Sequence, residues 1–135
     1  MNNHKIRKLL KSIRRTLGCH VENNNWRHSS REELEGMCGI SSYLLFKTFK
    51  RLGYKPTFCM NYQHCFLMVN DNYIDLTLTQ FNRRYPQISI RRKPYKYHSI
   101  EDSAKTEREI KMLFEPWPDT QNPFKQKLPK ILVDY

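Results

Sequence analysis

CGISSYLLFKTFKRL, residues 38–52, carries the pattern that decides the fold. Ile40, Tyr43, Leu44, Leu45, Phe46, Phe49 and Leu52 recur at helical spacing and give an apolar face too broad for a surface helix, so the stretch predicts a largely buried central helix. Gly53 stands where a helix takes its C-terminal cap, and Pro56 follows closely. Beyond it the period changes. Thr57–Tyr62 is rich in aromatic and sulfur side chains, His64–Val69 is an apolar run, Asn70-Asp71-Asn72 supplies turn chemistry, and Tyr73–Leu78 returns. That succession predicts an antiparallel hairpin, to which Gln87–Ile90 adds an alternating strand. A buried helix followed by antiparallel strands is an α+β domain.

Working outward towards the N-terminus, Ser30-Arg31-Glu32-Glu33 fits a capping box and predicts a short helical turn before Gly36, while Asn23–Arg27 is polar and loop-like. Residues 5–17 form an amphipathic helix with Ile6, Leu9, Leu10, Ile13 and Leu17 on one face and Gly18 as its stop. Lys5, Arg7, Lys8, Lys11, Arg14 and Arg15 supply its charge, and no acid occurs before Glu22. This helix either meets nucleic acid or a membrane surface, or docks by its apolar stripe as an ordinary surface helix. Towards the C-terminus, Ser99-Ile100-Glu101-Asp102 is a second capping box, which predicts a helix over 100–114 ended by Pro116 and Pro118. The tail, 115–135, reads as extended, with Pro123 and Pro129 blocking regular structure.

The 135 residues make one domain, 1–135, with its core in 30–81. Hydrophobic residues at 39% supply a core without metals or staples, and no apolar run approaches a membrane span. The basic N-terminus lacks the unbroken apolar region of a signal peptide, so the four cysteines are expected reduced, in a cytoplasm. Cys59, His64 and Cys65 lack the spacing of a zinc knuckle; neither a metal nor another cofactor is expected. Lys and Arg number 24 against 13 Asp and Glu, a net charge of +11 that favours an acidic partner. Arg83, Arg84, Arg91, Arg92, Lys93 and Lys96 are interleaved with Tyr85, Tyr95 and Tyr97, and this run is expected near the functional cleft or along its rim. An acidic protein or peptide is the expected partner. Nucleic acid, gripped at its phosphates and stacked on the tyrosines, is the alternative, in which the chain is a non-enzymatic basic module.

Cys38 opens the central helix, where the positive end of the helix dipole lowers a thiol's pKa, and Gly36 and Gly39 leave room for a substrate at the sulfur. His64 begins an apolar strand, a place for an imidazole that accepts the thiol proton. Asp75 lies between Ile74 and Leu76 on the returning strand, where a buried carboxylate demands a partner, and an imidazolium serves. Cys19, Cys59 and Cys65 read as packing residues.

The blocks Glu35-Gly36-Met37-Cys38-Gly39-Ile40, His64-Cys65-Phe66-Leu67-Met68-Val69, and Tyr73-Ile74-Asp75-Leu76-Thr77 with Gln80-Phe81 resemble the Cys, His and Asp blocks of the papain-like cysteine enzymes, and more narrowly the transglutaminase-like branch. The resemblance spans about residues 30–81. It implies a Cys-bearing helix packed on an antiparallel sheet and a Cys38-His64-Asp75 triad acting on amides as protease, amidase, deamidase or transamidase. A papain-type enzyme places an oxyanion Gln before its Cys. Here no Gln precedes Gln63, so the Cys38 N–H and a side chain from Asn25 or Trp26 are the available donors. One geometric demand follows. With Asp71-Asn72 as a two-residue loop, Met68 faces Asp75 and His64 faces Thr79, which sets His64 and Asp75 on one face but about 13 Å apart. A bulge or another register must close that gap, or else Asn61, Thr79 or Gln80 orients the ring.

Overall fold

Helix α2, Cys38–Arg51, lies where the apolar pattern places it, with Phe46 and Phe49 fully buried and Gly53 at φ 91° closing the helix in the left-handed region that glycine tolerates. A computed structural model describes residues 3–23 and 37–130. Asn25, Trp26, the Ser30–Glu33 box, Glu35, Gly36 and the last five residues of the tail lie outside them.

Five antiparallel strands follow α2: β1 (Thr57–Met60), β2 (Cys65–Val69), β3 (Asn72–Asp75), β4 (Ser89–Arg91) and β5 (Asp102–Ala104), in the spatial order β4-β3-β2-β1-β5. Helix α2 packs on β1 and β2, and the fold is α+β with three helices among the described residues. The β2–β3 turn decides the site. Its two loop residues are Asn70 and Asp71, at φ 49° and 64°, not Asp71-Asn72. Two successive positive φ values are the primed hairpin turn, which Asn and Asp enter at low cost. Leu67 therefore pairs with Ile74, Met68 with Tyr73 and Val69 with Asn72. Relative to the register expected from sequence, Asp75 moves two residues closer to His64 while keeping to the same face.

Helix α1 spans Asn3–Asn23 and runs through Gly18 instead of stopping there. Its stripe of Ile6, Leu9, Leu10, Ile13 and Leu17 is buried against the core, each side chain contributing about 1.5–3 kcal/mol relative to exposure, which outweighs the cost of about 1 kcal/mol for a helical glycine. The docked-helix reading of α1 is therefore the one observed. Arg14 departs from the expected basic face: it is buried, and its guanidinium donates to the Leu76 carbonyl and, at 3.5 Å, to Thr79 Oγ1.

The second capping box is displaced. Asp102–Ala104 is the edge strand β5, paired with β1, and helix α3 covers Glu107–Phe114. Its cap is Thr106, whose Oγ1 accepts the Glu109 N–H at 3.1 Å while Glu109 Oε1 accepts the Lys105 N–H at 3.2 Å. Pairing with β1 claims the residues that a local signal assigns to a helix. The tail also folds back more than expected: Asp119–Gln121 and Pro123–Lys125 are 3-10 turns, and the buried Asn122 donates to the Phe114 carbonyl at 3.0 Å. The core thus reaches from α1 to Phe114, well beyond residues 30–81.

Candidate active site

Three elements converge at the start of α2. Cys38 is the first helical residue, His64 sits just before β2, and Asp75 ends β3. His64 is held there by its turn: its carbonyl accepts the Asn61 N–H at 3.0 Å, and Asn61 Oδ1 accepts the Gln63 N–H at 2.9 Å. The hairpin register then lets His64 Nε2 donate to Asp75 Oδ2 at 2.6 Å, so the gap anticipated from sequence is closed by register without a bulge. Asn61 and Thr79, the other candidate orienting residues, are engaged elsewhere. Asn61 Nδ2 donates to the carbonyls of Tyr97 and Ser99 at 2.9 and 2.8 Å, and Thr79 accepts from Arg14. Gln80 does reach the ring, its Nε2 lying 3.4 Å from His64 Nδ1.

His98, which no local pattern distinguishes, completes the cluster. Its Nε2 lies 2.8 Å from the same Asp75 Oδ2, and its Nδ1 accepts the Tyr95 N–H at 3.2 Å. Asp75 Oδ1 meanwhile accepts the Thr77 N–H at 2.8 Å and the Thr77 hydroxyl at 3.3 Å. All four acceptor positions of a buried carboxylate are thereby filled, which is what a charge removed from water requires.

Electrostatics follow from this arrangement. Burial opposes the Asp75 charge, but the charge and hydrogen bond of His64, then those of His98, hold the carboxyl well below its ordinary range. Burial likewise opposes a charged His64; the Asp75 charge and hydrogen bond, with contributions from Cys38, push the imidazole up to about 10. Cys38 sits against both Cys65 and His64. A hydrogen bond from the Cys65 thiol, then the hydrogen bond and charge of His64, hold the Cys38 thiol well below its usual range in spite of burial. Cys65 moves the opposite way, raised by its bond to Cys38 and by burial. Cys65 is also a packing residue, fully buried in the core. Cys59, which burial pushes up to about 12, fills the packing role, and Cys19 is exposed on α1.

His64, Asp75 and His98 offer two imidazoles and a carboxylate within 4.8 Å, a set that can ligate a metal ion. The hydrogen bonds argue for another use. Because Nδ1 of His98 accepts a backbone N–H, its proton resides on Nε2, and a protonated nitrogen donates to a carboxylate but does not ligate a metal.

The cluster is closed to solvent, with Cys38 6% and His64 0% exposed. Its most accessible edge is formed by the half-buried Gln80, Phe81 and Tyr97. Phe81 stands edge-on to the His64 ring at 5.0 Å and stacks on Tyr97 at 3.8 Å. The basic run begins here, with Lys96 over Tyr97 and the Arg91 guanidinium 3.9 Å from the Tyr95 ring, while Arg83, Arg84, Arg92 and Lys93 are exposed. Tyr85, Tyr95 and Tyr97 are half-buried and pack on one another instead of standing free for base stacking. Gly39 also has a role other than the expected one. A Cβ there would meet the Phe114 ring at 2.8 Å, so the glycine admits α3 to the start of α2 and does not open a path for substrate.

No protein-family model, curated protein or solved structure matches the chain.

Proposed function

We propose that this protein is a cysteine-nucleophile enzyme acting on amide bonds of a protein or peptide, with a papain-like, transglutaminase-like arrangement and Cys38-His64-Asp75 as its triad. The observation that carries the reading is the buried His64 imidazole held at 2.6 Å by a carboxylate whose other acceptor positions are filled by His98 and Thr77. His64 Nε2 is committed to Asp75, which leaves Nδ1 for the thiol. In the reaction Nδ1 holds the Cys38 proton as an imidazolium beside the thiolate, the sulfur attacks the amide carbonyl carbon, and the oxyanion forms near the Cys38 backbone N–H and the Gln80 side chain. The C–N bond then breaks as the imidazolium returns its proton to the leaving amine. Water, or a second amine, attacks the resulting thioester with Nδ1 as base, releasing acid or transamidated product and regenerating the thiolate–imidazolium pair. Substrate approaches from the Gln80–Phe81–Tyr97 edge. The exposed cations that continue from it suit an acidic polypeptide, and four unpaired cysteines suit a reducing cytoplasm.

A second reading rests on the exposed cations of α1, namely Lys5, Arg7, Lys8, Lys11 and Arg15. In it the chain is a basic module that binds an acidic protein or nucleic acid, and the buried cluster is scaffold. Alkylation separates the two. At neutral pH, iodoacetamide is expected to modify Cys38 well before Cys59 and Cys65, and His64→Ala to slow that modification at least tenfold. Modification of Cys38 no faster than that of Cys59, in folded protein, contradicts the enzyme.

A further inference from the structure

We infer that His98 is a positioning residue of the Cys38 site: a fixed Nε2–H donor that holds the Asp75 carboxylate in the orientation His64 needs. This rests on the triad proposed above and extends it to a fourth member, from the part of the chain beyond residues 30–81.

The geometry leaves His98 little freedom. The Tyr95 N–H on Nδ1 sets the tautomer, so Nε2 carries the proton aimed at Asp75 Oδ2, 2.8 Å away. The ring lies parallel to Tyr73, at 5.4 Å and 6°, with Phe66 4.7 Å away and Tyr95 edge-on at 5.8 Å. The backbone on either side of it is anchored by Asn61, which donates to Tyr97 and Ser99 and also shapes the turn that presents His64. One asparagine thus ties both imidazole-bearing segments to each other. Without the His98 donor, one lone pair of a carboxylate that is 2% exposed is left unsatisfied. The group then rotates or admits water, and the 2.6 Å bond to His64 loses its alignment. His98 touches neither the thiol nor any reacting atom in this scheme. Its effect passes through Asp75.

Two variants separate donation from packing. His98→Phe keeps an aromatic ring among Tyr73, Phe66 and Tyr95 but removes the donor, whereas His98→Gln keeps an N–H able to reach Asp75. The first readout is the proton resonance of His64 Nε2–H, which a short bond to a carboxylate shifts far downfield. We expect it in the wild-type protein, moved upfield or broadened beyond detection in His98→Phe, and restored in His98→Gln. The second is the rate of Cys38 alkylation at neutral pH, expected to fall about tenfold in His98→Phe and to stay within threefold in His98→Gln. A folded His98→Phe protein with the wild-type resonance and rate overturns the inference. Should His98→Phe not fold, the wild-type tautomer decides: a proton found on His98 Nδ1 overturns it, and a proton on Nε2 alone supports it. An unreactive wild-type Cys38 removes the proposed enzyme but leaves the resonance test of His98 standing, so the two failures are distinct.

Discussion

Three protons decide what Cys38, His64 and Asp75 can do. The Cys38 thiol is lowered, His64 is raised to about 10, and Asp75 is lowered below its ordinary range. In the enzyme proposed above, sulfur and ring form a thiolate–imidazolium pair. The alkylation rate of Cys38 is therefore expected to climb through a limb below the ordinary thiol value of about 8.5 and to be near its plateau at neutral pH. Any amide turnover is expected to decline as pH passes about 10, where His64 loses the proton the leaving amine needs. The same shifts govern stability. A raised histidine contributes fully below its ordinary value, about 6.5, and its contribution is lost as pH rises through the folded value; a depressed carboxylate contributes above its ordinary value and is lost on acidification below it. Asp75→Asn is expected to cost about 3–5 kcal/mol in urea unfolding at neutral pH, because it leaves the two imidazole donors without their anion, and that difference should shrink below about pH 4. An unchanged difference across that range contradicts the ionised cluster.

Elements explain both what could be read in advance and what could not. The apolar face of residues 38–52 is dense enough that no other helix or loop placement competes, and α2 lies where expected. Cys38, His64 and Asp75 could be named because each is a polar residue at a point where an apolar element begins or turns. The contact of His64 with Asp75 cannot be read from local signals, since moving the loop from Asp71-Asn72 to Asn70-Asp71 shifts the register by two residues, and both dipeptides carry turn chemistry. The roles of Arg14 and His98 escape local signals for a related reason. A basic residue on an amphipathic helix and a histidine in an irregular stretch look solvated until the partners brought by distant elements, Leu76 and Asp75, are in place. Ser99–Asp102 reads as a helix start because capping chemistry is local, whereas β5 exists by pairing with β1. Close packing between elements gives its own prediction. Gly39→Ala places a methyl 2.8 Å from the Phe114 ring, and is expected to destabilise the protein by about 1–3 kcal/mol and to loosen the start of α2. Thermal unfolding together with Cys38 alkylation checks it; a variant as stable as wild type means that α3 yields without cost.

For the whole molecule, charge and burial divide the labour. The site lies under cover between α2 and the sheet, and no helix among the described residues is long and apolar enough to cross a membrane. The exposed cations of α1 and of the 83–96 segment carry much of the net +11. An acidic polypeptide is expected to bind this protein at low ionic strength and to be released as salt rises, because exposed charges are screened beyond about 8 Å at physiological ionic strength. Binding to mixed-sequence DNA or RNA that is tighter than to an acidic polypeptide, and unaffected by Cys38→Ala, favours the basic module instead. The claim on which everything else depends is that Cys38 is a thiolate paired with His64. Ultraviolet titration of thiolate absorbance tests it most directly, with Cys38→Ser and His64→Gln as references. The account predicts one thiol titrating well below the ordinary value in the wild-type protein, absent from Cys38→Ser and displaced upward in His64→Gln. A wild-type titration with every thiol at or above the ordinary value contradicts it.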